Sequence, residues 1–212
     1  MIVLALDSCL GACSAALSRD GVSLDWISEP MTRGHQERLA PMIADLMTAK
    51  GLSFADLDRI GVTVGPGSFT GLRVGLAFAK GLALALDRPC VGVGTLEALA
   101  AAPPTNGACA ALIDAGRGRI YLQMFDGGTA ISGPDVLSVG EAIARLVEAF
   151  PSGDVRLTGP GVGLVAAALP RATVCGRAAP DPRAVAQLAA AAPLTPPRPL
   201  YLRPPDAKVK GA

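Results

Sequence analysis

The chain has 212 residues, half of them hydrophobic, with 19 basic and 18 acidic side chains and a formal net charge of +1. That length allows one large domain or two small ones, and the apolar content excludes a disordered chain. The balanced charge excludes a chain-wide nucleic-acid footprint, so a role with tRNA or DNA would need a local patch or a partner. The five cysteines (Cys9, Cys13, Cys90, Cys109, Cys175) are odd in number and scattered. They read as reduced thiols of a cytoplasmic protein rather than a disulfide framework. The apolar start is cut off by Asp7, too early for a secretory signal. No run approaches about 18 uncharged apolar residues, so no membrane span is expected.

Residues 2–7 read as a buried strand, followed by a loop at 8–12 and a strand at 13–18. Asp20-Gly21 is a two-residue hairpin signal, so residues 22–27, with the only tryptophan, Trp26, form a third strand of an antiparallel meander. From Leu39 the period becomes helical: Leu39, Met42, Ile43 and Leu46 share a face, and Gly51 marks the stop. Pro41 belongs in or near the first turn, or else kinks the helix. A short strand at 60–64 leads into Gly65-Pro66-Gly67.

The stretch 65–86, GPGSFTGLRVGLAFAKGLALAL, organises the chain. A glycine-proline turn runs into a helix capped by Ser68 or Thr70. At 3.6 residues per turn, Gly71, Gly75, Phe78, Ala79, Leu82 and Leu86 share one face. Arg73, Lys80 and Asp87 form a narrow polar stripe, flanked by Leu72, Leu76 and Ala83. An ordinary surface helix has the reverse proportions, so this one needs a cover beyond its own sheet. Gly71, Gly75 and Ala79, four apart, would let a second backbone approach closely. Two outcomes follow. Either Gly71, Leu72, Gly75, Leu76, Phe78, Ala79, Leu82 and Ala83 form a protein–protein contact, or the helix is wholly buried in its own domain.

Residues 89–93 form another strand, and Thr95 caps a short helix over 96–101, with Glu97 early in it where the helix dipole favours an acid. The stretch Ala102-Pro103-Pro104-Thr105-Asn106-Gly107 is the clearest linker, which divides the chain into domains at 1–102 and 103–212. The second begins with strands at 110–114 and 120–125 around an Arg117-Gly118-Arg119 turn. A turn at Asp126-Gly127-Gly128, a helix at 141–150 and a strand at 155–158 follow. Next come a glycine-rich loop at 159–163, an alanine-rich helix to 169 and a last helix at 183–192. Each half passes from hairpin strands into alternating helix and strand, a repeat of architecture rather than of sequence. Pro193, Pro196, Pro197, Pro199, Pro204 and Pro205 require an extended tail.

Candidate sites are few. Asp7 and Ser8 at a strand end, and Gly159 and Gly161 in the later loop, are candidate nucleotide-facing residues. Asp7 also reads as a turn cap through a side-chain hydrogen bond. Gly65-Pro66-Gly67-Ser68 lacks both the Walker ending and a GxGxxG pattern, and reads as a tight turn feeding a helix. His35, the single histidine, cannot make a histidine-rich metal site and reads as a solvated loop residue. Catalytic and metal-ligating sets are absent from the sequence.

Residues 2–17, IVLALDSCLGACSAAL, and His35-Gln36-Glu37-Arg38-Leu39 resemble the start of the bacterial tRNA threonylcarbamoyladenosine biosynthesis family TsaB. The strongest resemblance is 65–100, GPGSFTGLRVGLAFAKGLALALDRPCVGVGTLEALA. Residues 114–121 resemble the family's Asp-Ala-Arg-x-x-Glu-Val-Tyr, with Gly116 in place of an arginine and Arg119 in place of a glutamate. Pro199-Leu200-Tyr201-Leu202-Arg203 resembles its C-terminal signature. The resemblance implies an α/β fold of two related actin-like (ribonuclease-H-like, sugar-kinase-like) domains with mixed sheets flanked by helices. It also implies a non-catalytic, cytoplasmic subunit that partners the transferase TsaD, with the ATPase TsaE completing the assembly and TsaC making the donor. tRNA is met only through the complex. The chain alone would pair with itself and hold no cofactor, with ATP or ADP placed at the complex junction. TsaD's related segment, Gly-Val-Asn-His-x-Glu-Gly-His, holds a metal with its two histidines; Thr95 and Leu99 stand at those positions here. The alternative is a small actin-fold ATPase or kinase using Asp7 and the Gly159 loop.

Overall fold

The computed structural model describes residues 1–103 and 105–203; the expectations at Pro104, Pro204 and Pro205 lie outside the described residues. The opening run IVLALD is apolar on both sides of a strand, and it becomes a central one: β1 (Ile2–Asp7) is buried from Val3 onward. β2 (Ala12–Arg19) pairs antiparallel to it, with Asp7 opposite Ser14. Asp20 and Gly21, both at positive φ, turn the chain into β3 (Val22–Pro30), which pairs antiparallel to β2. Helix α1 (His35–Ala49) begins four residues before its apolar period does, so Pro41 lies in its second turn and removes a helical donor there.

β4 (Arg59–Thr63) lies parallel to β1, α2 (Phe69–Leu86) follows, and β5 (Cys90–Val93) lies parallel to β4. The first sheet has the order β3-β2-β1-β4-β5. α3 (Thr95–Ala100) leads to the second sheet. There β6 (Ala108–Gly116) pairs antiparallel with β7 (Arg119–Asp126), and β8 (Thr129–Ala130) and β9 (Asp135–Ser138) both pair with β7. Helix α4 (Val139–Ala149) opens on a capping box in which Glu141 accepts from the Ser138 N–H at 2.8 Å and Ser138 Oγ from the Glu141 N–H at 3.3 Å. β10 (Arg156–Thr158) lies parallel to β6, and β11 (Thr173–Cys175) parallel to β10. Each sheet thus has a central strand with a hairpin partner on one side and parallel crossovers on the other. These are the two mixed sheets flanked by helices expected from the sequence.

Some expectations needed correction. The alanine-rich stretch to 169 is not a helix but two 3-10 turns, Val162–Leu164 and Ala166–Ala168. Glycines at 161 and 163 weaken helix propagation there. Thr95 does not cap α3; Gly94 takes the cap position and Thr95 is the first helical residue.

α1 and α2 cover one face of the first sheet, joining Leu4, Leu6, Ile43, Val62, Leu72 and Leu76. The other face is covered by α5 (Pro182–Ala191), whose Val185, Ala186 and Ala189 pack on Val3, Ala5 and Val91. This helix comes from the sequence of the second half, so its packing crosses the 102/103 division. Arg59, at the start of β4, holds it in place: Nη1 donates to the carbonyls of Ala189 (2.8 Å), Ala190 (2.8 Å) and Ala192 (3.1 Å). In the second sheet the strand alternation is plain. Leu112 packs on the α4 side, whereas Cys109, Ala111 and Ile113 meet Leu96 and Leu99 of α3.

Candidate functional site

Ser68 caps α2, its Oγ accepting from the Gly71 N–H at 3.3 Å, and Thr70 does not. The column Gly71, Gly75, Ala79 turns inward. A Cβ on Gly71 would overlap the Ser8 carbonyl, and one on Gly75 would stand 2.6 Å from Ser8 Oγ and 3.6 Å from Val62 Cγ2. Gly71, Leu72, Gly75, Leu76, Ala79 and Ala83, six of the eight residues expected at an interface, are therefore buried against the protein's own first sheet. The close approach that those glycines permit is to the β1 end and its following turn, not to a second molecule. Phe78 and Leu82 stay half-buried at the rim. The outward side carries Ala77, Gly81, Leu84 and Ala85 beside Arg73 and Lys80, with Val74 half-buried at its edge, and Leu84 is 84% exposed. Ala77, Gly81 and Ala85 make a second column of small residues four apart, and nothing lies within 4 Å of a Cβ on Gly81. By length and composition this 18-residue helix could cross a membrane, contrary to the expectation that no segment would pass; its inner face is committed to the sheet instead.

Asp7 is fully buried. Its Oδ1 accepts from Thr63 Oγ1 at 2.5 Å and from the Cys9 N–H at 3.1 Å, while Oδ2 has no hydrogen-bond partner. Burial pushes this carboxyl up from its ordinary value, and the bonds from Thr63 and Cys9 pull against that. Burial likewise pushes the Cys9 thiol far up. Ser8 is buried too, its Oγ donating to the Gly71 carbonyl at 2.8 Å. Gly159 and Gly161 press on the backbone of β6: a Cβ on Gly159 would overlap the Leu112 carbonyl, and one on Gly161 would stand 2.9 Å from the Ile113 carbonyl carbon. None of these four candidates faces an open site, because each is consumed in packing one segment of chain against another. His35 is the first residue of α1 rather than a loop residue, half-buried, and its Nε2 is buried without a hydrogen-bond partner.

Open α/β sheets bind ligands beyond the carboxyl ends of their strands, and a cavity of about 300 Å³ lies there between the two sheets. It is lined by Cys9 and Leu10 after β1, by Pro66 to Phe69 before α2, and by Ile113, Asp114 and Ala115 of β6. Tyr121 and the extended C-terminal residues 200–203 complete the wall. Asp114 Oδ1 is engaged by the Gly116 N–H at 2.7 Å. Sequence reasoning predicted the extended tail but not its course across this cleft. Nothing in the local sequence marks a distant docking point.

The family model for TsaD, tRNA N6-adenosine threonylcarbamoyltransferase, matches residues 28–201. The tRNA threonylcarbamoyladenosine biosynthesis protein TsaB of Escherichia coli (strain K12) is 42% identical over 124 residues, which are 57% of this chain and 53% of that protein. Among solved structures, YeaZ from Pseudomonas aeruginosa superposes with a TM-score of 0.80 at 29% identity, covering 95% of this chain and 99% of that one. The chain belongs to the TsaD family, in its TsaB branch. It spans about half the length of the curated relatives it matches, 53% of the E. coli protein and 43% of that of Haemophilus influenzae. The ROK hexokinase of Thermus thermophilus (TM-score 0.55, 16% identity, 90% of this chain and 98% of that one) shares the fold alone, the sugar-kinase-like, actin-like one expected from the sequence.

In this TsaB-type chain the two positions compared with the transferase's metal-holding histidines have structural work. Thr95 is buried, its Oγ1 accepting from the Gly65 N–H at 3.1 Å and its N–H donating to the Gly65 carbonyl at 2.9 Å. This reciprocal pair of hydrogen bonds ties the turn before α2 to the start of α3. Leu99 is buried in the apolar cluster between α3 and β6. Among the described residues no three His, Cys, Asp or Glu side chains gather as a metal site. Asp7 and Gly159 are buried against neighbouring segments, so neither presents an open carboxylate or a cradle of free backbone donors to the cleft.

Proposed function

We propose that this chain is a non-catalytic partner subunit in the biosynthesis of tRNA threonylcarbamoyladenosine, docking a TsaD-type transferase through the outer face of α2. The observation that carries the reading is the exposed apolar side of that helix, with Leu84 open to solvent beside the column Ala77, Gly81, Ala85. An apolar patch that the fold leaves uncovered marks an interaction site, and small residues four apart admit a second helix at close range. Thr95 and Leu99 support the non-catalytic part, since neither offers an imidazole. On this reading a TsaE-type ATPase joins the pair, tRNA is met through the complex, and any ATP or ADP sits at the junction rather than in this chain's own cleft. The subunit is cytoplasmic, as a tRNA-modifying assembly requires.

The test is co-purification with a TsaD-type subunit. Wild type is retained, whereas Leu84→Asp, a change on a side chain that is 84% exposed, loses the partner while its melting temperature holds. Retention of the partner by Leu84→Asp overturns the assignment of this face. Modified adenosine formed above background from tRNA and threonylcarbamoyl-adenylate, with no transferase present, overturns the non-catalytic reading.

A further inference from the structure

The C-terminal segment crosses the mouth of the inter-sheet cleft and touches both sides of it. Pro197 packs over Gly92 of β5, where an added Cβ would stand 3.3 Å from the proline Cβ. The Leu200 N–H donates to the Val64 carbonyl, just past β4, at 2.7 Å. The Tyr201 ring lies on Phe69, centroids 5.2 Å apart, at the first residue of α2. Arg73 closes this corner, its guanidinium 3.6 Å over the Phe69 ring and its Nε donating to Tyr201 Oη at 3.4 Å. Arg203 then reaches the second sheet and donates through Nη1 to the Ala115 carbonyl at the end of β6.

We propose that residues 197–203 are a latch, lying across the cleft beyond the carboxyl ends of the strands, where open α/β sheets take ligands, and fixing its closure from the front. The back of the cleft is held separately. There Leu96 and Leu99 of α3 pack on Ala111 and Ile113, and the buried Arg156 donates to the Ala100 carbonyl at 2.8 Å. Leu10, in the loop after β1, also packs on this apolar cluster, and the Gly11 N–H donates to the Ala178 carbonyl at 3.3 Å, so the strap adds its polar and aromatic contacts to a hinge of packed apolar side chains. Pro193, Pro196, Pro197 and Pro199 restrict the unlatched strap, so little chain entropy is lost when it seats. Arg203 ties across to the second sheet; Pro197, Leu200 and Tyr201 anchor on the first. The inference uses this geometry alone and stands whether or not α2 docks a transferase.

Hydrogen exchange on the full chain tests it, with Tyr201→Ala/Arg203→Ala compared with wild type. Amides at 64–68 and at 114–116, on opposite walls of the cleft, exchange together about tenfold faster in the double variant, while α4 keeps its protection. Tyr201→Phe retains the ring on Phe69 and stays close to wild type at both walls. Unchanged exchange at both walls overturns the latch. So does acceleration at 64–68 alone, which makes the strap an appendage of the first sheet. Equal acceleration in α4 also overturns it, since the strap is then a general stabilising element.

Discussion

Ser8 and Gly75 are packed so closely that a Cβ on the glycine would stand 2.6 Å from the serine Oγ, which is already committed to the Gly71 carbonyl at 2.8 Å. Gly75→Ala therefore destabilises the fold by roughly 1–3 kcal/mol through overpacking, even though alanine is the better helix former by about 1 kcal/mol. Gly81, six residues on and facing open space, behaves oppositely: Gly81→Ala stabilises by about 0.5–1 kcal/mol. Urea unfolding of the two variants shifts the midpoints in opposite directions. Shifts of the same sign would refute the inward and outward assignment of the two columns.

Asp7 gives the fold a pH dependence of definite sign. Burial raises its folded-state value above the ordinary 3.8, against the pull of its bonds to Thr63 and Cys9 and the charge of His35. A raised carboxyl means the fold prefers the neutral form. Its contribution is present in full below the unfolded value and is lost as pH rises through the folded one. Asp7→Asn removes the ionisation, so its stability relative to wild type climbs from about pH 4 upward and levels off above the folded value. Denaturant titrations across that range measure the gap. A gap that does not vary with pH refutes the prediction.

Arg59 fastens α5 by donating to three carbonyls at its C-terminal end. Arg59→Met keeps most of the stem and removes the donors. The expected loss is about 1.5–3 kcal/mol, the range for hydrogen bonds to a charged group. Faster amide exchange should appear in α5 before it appears in α1. An unchanged unfolding midpoint would show that water replaces the guanidinium without loss.

Without its partner the chain should pair with itself, because the outer face of α2 offers the same uncovered surface to a second copy and two-fold pairing is the commonest solution. Sedimentation at tens of micromolar, an estimate set by typical weak self-association, should show a dimer for wild type and a monomer for Gly81→Arg. A monomeric wild type rules this out.

Eight of the eleven strands among the described residues, the hairpin at Asp20-Gly21 and the course of α2 were legible because each rests on local chemistry, whereas the short strands β8, β9 and β11 carry too few residues to show a period. The facing of α2 was not. Almost every position on it is apolar or small, so the helical period carries little contrast. Two columns of small residues, Gly71-Gly75-Ala79 and Ala77-Gly81-Ala85, compete for the same inference. What chooses between them is the Ser8 turn, which is distant in sequence. Asp7 illustrates the opposite case: its turn-capping bond to the Cys9 N–H follows from the Asp-Ser-Cys sequence, while its burial depends on Thr63 and could not be read locally. The 3-10 turns near 165 were missed because alanine content suggested a helix and the weight of Gly161 and Gly163 was underestimated.

The placing of α5 also governs how the protein can be made. A nascent chain that has just passed residue 102 holds all five strands of the first sheet and the two helices of one face. Val3, Ala5 and Val91 on the other face then have no cover, since Val185, Ala186 and Ala189 have not been translated. Domains of many proteins fold as units while the ribosome is still at work. Here the first half must wait, with apolar surface exposed, until almost the whole chain has emerged. An isolated fragment of residues 1–102 would inherit the same bare face for good.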